Sequence, residues 1–172
     1  IKTAPVSTKN FFEKAVKIVA FTSERRNLLK QIATAIADEL AVSHVTNLNF
    51  ICTHNSRRSQ LSQVWAYYAA DYFNLNIGSF SGGTEVTAFY RNTVKTLQKS
   101  GFCFQVIDFS HQNPRYEISF KGATSTVLGF SKLYNDPVNP ESYIAITTCN
   151  NADENCPFIP EAKHRFHFPF VD

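Results

Sequence analysis

The sequence predicts an α/β fold, an open three-layer sandwich with a parallel central sheet and an N-terminal helical extension. Three observations predict it. From residue 45 onward, segments with the period of a strand alternate with segments with the period of a helix. Strand, helix and strand in that succession close as right-handed crossovers on a parallel sheet covered on both faces. Before residue 45 the apolar period is helical only. Finally, 172 residues at 44% hydrophobic and 18% charged suit one domain with a sizeable core. That composition excludes a disordered, collagenous or coiled-coil chain.

Taken in order, residues 1–9 read as a loose arm and residues 10–19 as a short amphipathic helix. Phe11, Phe12, Ala15, Val16 and Val19 form the apolar face of that helix. Ser23 can cap a second helix, with Glu24 well placed in its first turn. Along it Leu28, Ile32, Ile36 and Leu40 recur every four residues, beside Leu29 and Ala33. Residues 1–44 are therefore expected as a helical extension packed on a domain of residues 45–172. The segment 45–52 alternates as a strand. Leu61, Val64, Trp65, Tyr68, Ala69 and Tyr72 then predict a helix over 58–73. A second strand is expected over 77–80, ending at Gly82 and Gly83. A third helix over 87–100 is stopped by Gly101, and a strong strand follows over 102–109. Residues 116–120 suggest another strand and 143–148 a clear one, with a Pro- and Asn-rich loop over 135–140 between them. Cys103, between Phe102 and Phe104, is expected in the core.

The charge is mild, with 17 basic against 14 acidic residues for a net +3. That does not point to nucleic acid, and it does not repel a small oxyanion. No run reaches the roughly 18 apolar residues of a membrane span. The first residues show no apolar signal core, so a cytoplasmic protein without a membrane partner is expected. Four cysteines fall at 52, 103, 149 and 156. A secreted disulfide scaffold would be denser in cysteine. A few cysteines among polar and basic residues point instead to catalysis or metal binding.

In a doubly wound sheet, ligands sit beyond the carboxyl ends of the strands. The run Cys52-Thr53-His54-Asn55-Ser56-Arg57-Arg58-Ser59 occupies that place, between the first strand and the long helix. Backbone N–H groups at the helix start favour an anion, and a loop of small polar residues can fold round a tetrahedral oxyanion. Arg58 can add a planar bidentate fork. The same surroundings favour the thiolate of Cys52. Such a thiolate can attack phosphorus or arsenic, with Ser59 donating to it or to a leaving sulfur. The plain alternative is a buried, inert cysteine beside two solvated arginines. Cys-x5-Arg alone is a weak pattern, and its position at the strand–helix switch favours function.

This loop resembles the C-T-G-N-S-C-R-S-Q loop of low-molecular-weight tyrosine phosphatases and of the arsenate reductases built on that fold. Residues 81–89, beginning Ser81-Gly82-Gly83-Thr84-Glu85, are similar to the family's S-A-G-T-E segment. Residues 130–136 and 147–157 are similar to later stretches of the arsenate reductases. The resemblance spans 45–172 and implies a four-stranded parallel sheet. It departs at His54, where the family has Gly, and at Arg57, where it has Cys. Histidine tolerates an unusual backbone better than a β-branched residue does. The resemblance implies that Thr53, His54, Asn55, Ser56, Arg57 and Arg58 form the oxyanion loop. It further implies that Asn55 braces the loop, Arg58 holds the oxyanion and Ser59 assists the nucleophile.

Cys149 and Cys156 follow the last clear strand, and two thiols near a reactive thiolate suggest relayed disulfide exchange. In the reductases that the chain resembles, one cysteine takes the oxyanion, a second releases arsenite and a third resolves the disulfide. Cys52, Cys149 and Cys156 match those positions. One alternative is an inert pair, two ordinary partly buried cysteines retained in a phosphatase; a zinc site made with His164 and His167 is the weaker alternative, because Cys-x6-Cys is not a usual zinc spacing. No metal and no tightly bound cofactor are expected. The reductant would be an external thiol, thioredoxin- or glutaredoxin-like. Family members keep an Asp before a Pro near the end of the chain, and Asp172 is its match as general acid. Asp136 also precedes a proline, but Asp-Pro is a common turn. The expected activity is arsenate reduction. The alternative is hydrolysis of a phosphomonoester, phosphotyrosine above all, through a phosphocysteine. A catalytically weak anion-binding protein is the third reading.

Overall fold

The computed structural model describes residues 7–171. Helix α1 (Thr8–Ile18) starts at Ser7, whose hydroxyl accepts from Asn10 N–H. Helix α2 (Ser23–Ser43) is capped by Thr22, one residue before the expected Ser23, and stops where His44 turns left-handed at φ 60°. Then come β1 (Thr46–Cys52), α3 (Arg58–Tyr72), β2 (Ile77–Gly83), α4 (Arg91–Lys99), β3 (Phe102–Asp108), β4 (Arg115–Phe120), β5 (Val127–Gly129), β6 (Tyr143–Thr147), α5 (Asn150–Asn155) and β7 (Ala162–His167).

Four strands form the central sheet in the order β2-β1-β6-β7, every neighbouring pair parallel. Helix α2 covers one face, where Ile32 and Ala35 pack against Leu48, Ile144, Ile146 and Phe168. Helix α3 covers the other, resting on β1 and β2. The outward side of α3 continues into an aromatic core with α4 and a second sheet, through Val64, Tyr68, Phe89, Leu97, Phe102 and Phe120. Helix α1 joins that core through Phe12, which meets Trp65, Tyr68 and Tyr72. Among the described residues no helix is long and apolar enough to cross a membrane.

Three local expectations need correction. The strand at 102–109 is real, but it lies outside the parallel sheet. It pairs antiparallel with β4 in the three-stranded sheet β3-β4-β5. Strand period shows that a strand exists and not which neighbour it takes. Cys103 is exposed rather than in the core. Successive side chains of a strand face opposite ways, so Cys103 points away from the face where Phe102 is buried. Finally, α4 begins at Arg91 rather than residue 87. Residues 87–90 are instead held extended, with Thr87 N–H donating to Ser131 Oγ and Tyr90 N–H to the Ser56 carbonyl.

Candidate active site

Strand β1 ends at Cys52, and residues 53–57 turn the chain into α3. The turn needs one left-handed residue, and Asn55 supplies it at φ 45°. Asparagine adopts that conformation more readily than most side chains. His54 is not among the described residues of positive φ, so the histidine in the family's glycine position meets no backbone obstacle.

Asn55 is fully buried. Its Nδ2 donates to Ser59 Oγ at 2.8 Å, and its Oδ1 accepts from Lys132 N–H at 3.0 Å and from Gln60 Nε2 at 3.2 Å. The loop carbonyls are drawn outward. Those of Thr53, His54 and Ser56 accept from Glu85 N–H at 2.9 Å, Ser131 Oγ at 2.8 Å and Tyr90 N–H at 3.1 Å. The N–H groups of His54, Asn55 and Ser56 donate in no hydrogen bond among the described residues. Carbonyls outward and N–H groups uncommitted make a cradle for an anion. Gly83 of β2 backs the loop. A Cβ there would lie 2.7 Å from the Thr53 carbonyl and 2.9 Å from Asn55 N, closer than real contacts allow.

Cys52 is buried, with its Sγ 3.0 Å from Ser59 Oγ. Because that oxygen already accepts from Asn55, its own hydrogen is left for the sulfur. The loop opens on a cavity of about 350 Å³, lined by Cys52, Thr53, His54, Ser56, Arg57, Arg58, Thr87 and Tyr90. Arg57 stacks over the Tyr90 ring at 4.9 Å, and His54 Nε2 stands 3.3 Å from Glu85 Oε2. Arg58 Nη1 donates to the Phe170 carbonyl at 3.1 Å. Thr87 and Tyr90 escaped sequence reasoning. Both sit in the stretch read as helix; Thr87 falls within the 81–89 resemblance without a role assigned to it, and no motif reaches Tyr90.

Cys149 immediately precedes α5, and Cys156 immediately follows it. Both are buried free thiols in one cluster with Cys52, Ile51, Tyr143 and Ala152. Thr53 links the segments, with its Oγ1 3.5 Å from Cys149 Sγ and 2.9 Å from Asn151 Oδ1. Burial pushes the Cys156 thiol pKa up, against the pull of Arg165 and a hydrogen bond from Tyr134. Arg165 of β7 fixes α5 from behind. Its Nε donates to the Cys156 carbonyl at 3.0 Å, and its Nη2 donates to Asp153 Oδ1 at 2.6 Å and to the Asp153 carbonyl at 2.8 Å. His167 adds two contacts, Nδ1 to Thr147 Oγ1 at 2.9 Å and Nε2 to Asn150 Oδ1 at 3.0 Å. His164 instead turns to Glu39 of α2. The two histidines therefore do not converge with the cysteines as a zinc site requires. Asp136 accepts from Val138 N–H at 2.9 Å and closes its turn. Asp172, the expected general acid, lies outside the described residues.

No protein-family model matches the chain. An arsenate reductase of Bacillus licheniformis is 31% identical over 124 residues, covering 72% of this chain and 70% of that enzyme. Arsenate reductase 1 of Staphylococcus epidermidis is 29% identical over 124 residues, 72% of this chain and 74% of that one. An arsenate reductase of Bacillus cereus is 28% identical over 124 residues, with 72% and 73% covered. A solved thioredoxin-dependent arsenate reductase of Corynebacterium glutamicum is 17% identical, with a TM-score of 0.43 over 96% of this chain and 72% of that one.

Proposed function

The chain belongs to the arsenate reductase family, and on that premise we propose that it reduces arsenate through a relay of the thiols of Cys52, Cys149 and Cys156. The observation that carries this reading is the convergence of three free, buried cysteines in one cluster at the mouth of an oxyanion cradle.

In this reading arsenate enters the loop, where the N–H groups and Arg58 hold its oxygens. The Cys52 thiolate displaces one oxygen, which leaves as water once protonated, and a sulfur–arsenic bond forms. We assign that proton to Asp172. Two residues before it, the Phe170 carbonyl accepts from Arg58 Nη1. Cys149 then attacks Cys52 Sγ. The sulfur–arsenic bond breaks with its electron pair left on arsenic, so arsenite departs and a Cys52–Cys149 disulfide forms. Cys156 next attacks Cys149 Sγ, which frees Cys52 as a thiolate and leaves a Cys149–Cys156 disulfide. An external thiol, thioredoxin- or glutaredoxin-like, returns two electrons to that disulfide. Ser59, donating to Cys52 Sγ, stabilises the thiolate as nucleophile and again as leaving group.

A second reading is favoured by one feature, the Tyr90 ring on the cavity wall, which offers a face to an aryl phosphate. Phosphomonoester hydrolysis shares the first attack, needs only water afterwards and leaves Cys149 idle. The test is arsenate-dependent NADPH oxidation with thioredoxin and its reductase, alongside p-nitrophenyl phosphate hydrolysis. Cys52→Ser should abolish both. Cys149→Ser should stop arsenate turnover and spare hydrolysis. Arsenate reduction that survives Cys149→Ser would overturn the relay. Phosphatase activity without any arsenate turnover would make the second reading the right one.

A further inference from the structure

We propose that His167 is a positioning residue for the second thiol of the relay, a splint that fixes Cys149 for its attack on Cys52. The proposal rests on the relay reading above. Cys149 sits between Thr147, near the end of β6, and Asn150, the first residue of α5. His167 takes hold of both. Its Nδ1 lies 2.9 Å from Thr147 Oγ1, and its Nε2 lies 3.0 Å from Asn150 Oδ1. The Thr147 hydroxyl already donates to Asp153 Oδ1 at 2.8 Å, so its oxygen is left to accept the Nδ1 hydrogen. Either charge state of the ring then keeps the second bond. An imidazolium donates to Asn150 Oδ1, and a neutral ring accepts from the same amide turned over. One ring thus spans the turn that carries the thiol.

The turn needs such a splint. Cys149 is extended, at φ −153° and ψ 154°, and α5 starts on it without a side-chain cap. A helix of six residues is marginal by itself. Arg165 grips α5 further along, at Asp153 and Cys156, and Thr53 grips Asn151 from the loop side. Among the described residues, only the His167 side chain bonds to side chains on both sides of Cys149. Its own place is set by sheet register rather than by a loop. His167 closes β7 opposite Thr147 in the parallel pair, and the next N–H, that of Phe168, donates to the Thr147 carbonyl at 2.8 Å. The chemistry makes position matter. Cys149 must approach Cys52 Sγ in line with the sulfur–arsenic bond, and an error of about 1 Å can cost up to ~100-fold. His167 does not line the Cys52 cavity, so the first attack on the oxyanion does not involve it.

A single turnover of the reduced full chain with arsenate and no thioredoxin tests this. Arsenite release is timed by rapid quench, beside p-nitrophenyl phosphate hydrolysis. His167→Asn puts an amide near the Nδ1 position and keeps only the Thr147 bond, whereas His167→Gln keeps only the Asn150 bond. Each should slow arsenite release by roughly tenfold or more and leave hydrolysis as it was. Asn150→Ala changes an exposed side chain, so folding is not at stake. It should slow release as much as His167→Asn, and the two together should do no more than either alone, because both cut the same bond. The proposal is overturned if Asn150→Ala releases arsenite at the full rate, if its effect adds to that of His167→Asn, or if hydrolysis falls in step with release. Failure of the relay itself looks different. The unmodified protein would then release no arsenite, or Cys149→Ser would release it as fast, and the splint would fall with the relay.

Discussion

Asn55 combines two properties that the loop needs together. It takes the left-handed φ of 45°, and its buried amide holds Ser59 while receiving Lys132 and Gln60. Alanine would keep neither. Asn55→Ala should cost about 1–2 kcal/mol in backbone strain, with a further ~1–3 kcal/mol for the buried partners left unmet. Asn55→Gly removes the strain and keeps the second loss, so its urea-unfolding stability should lie between the two. Equal losses in both variants would show that φ contributes nothing. The loop's chemistry was legible in the sequence, because Cys52, Asn55, Arg58 and Ser59 fall at fixed offsets at a strand–helix switch. Its backbone was less so, since His54 is the residue that departs from the resembling loop's Gly while the left-handed residue is its neighbour. Lys132 was not legible at all, because a single lysine between Ser131 and Leu133 reads as solvated. Its ammonium titrates at about 8 when folded, against an ordinary 10.5. The folded protein therefore holds fewer protons than the unfolded chain between those values, and stability rises with pH through that window. Below pH 8 the full penalty applies, about 3 kcal/mol at ~1.36 kcal/mol per unit. Lys132→Met should therefore be the more stable protein at pH 7, with its advantage shrinking toward pH 10. The phenols of Tyr67 and Tyr143, which burial pushes to about 12, act in the opposite sense above pH 10. They are common to both proteins and cancel in the difference. A stability gap independent of pH would show that Lys132 is not buried as a charge.

Helix α5 was missed because six residues show no period, and β7 because Lys163, His164, Arg165 and His167 make it read as polar loop. Both follow from the tertiary setting. Strand β7 is a sheet edge, and α5 is held by side chains from that edge. The helix has a consequence for the proposed relay. Seven helical steps of ~1.5 Å put Cys149 and Cys156 about 10 Å apart, whereas a disulfide needs Cα atoms within about 7 Å. Forming the Cys149–Cys156 bond must therefore unwind α5 and break the bonds from Arg165 to Asp153 and to the Cys156 carbonyl. Amide exchange over residues 150–155 should be protected in the reduced protein and fast in the oxidised one. Arg165→Met should raise exchange in the reduced protein by about tenfold or more, since hydrogen bonds to charged groups contribute ~1.5–3 kcal/mol. The p-nitrophenyl phosphate rate should stay as it was, because Arg165 does not touch the Cys52 loop. Equal protection in reduced and oxidised protein would sink the argument, as no unwinding would then accompany the disulfide.

Across the whole molecule, the two N-terminal helices lie on opposite sides, α2 on one face of the parallel sheet and α1 against the aromatic core beside α3. Ile32 and Ala35 of α2 fill one face of the sheet, which would otherwise present Leu48, Ile144, Ile146 and Phe168 to water. The N-terminal end of α2 does something different. Arg25 Nη1 donates to the Pro169 carbonyl at 2.8 Å, and its guanidinium lies 3.9 Å from the Phe168 ring and 5.2 Å from Phe170. That is the segment whose Phe170 carbonyl Arg58 holds from the loop side. One helix thus has two separable effects, and two substitutions should divide them. Ile32→Ala opens a cavity under the sheet and should cost about 2–4 kcal/mol in urea unfolding. The fraction that stays folded should turn over normally, because nothing near Cys52 moves. Arg25→Ala removes a partly exposed hydrogen bond and a ring contact, worth about 1–2 kcal/mol of stability. It also frees residues 168–170 beside Arg58, and misplacing a catalytic group by about 1 Å can cost up to ~100-fold. Its kcat should fall roughly tenfold or more, out of proportion to the lost stability. If Arg25→Ala turned over as fast as the unmodified protein, α2 would serve packing alone and the site would owe nothing to the first helices.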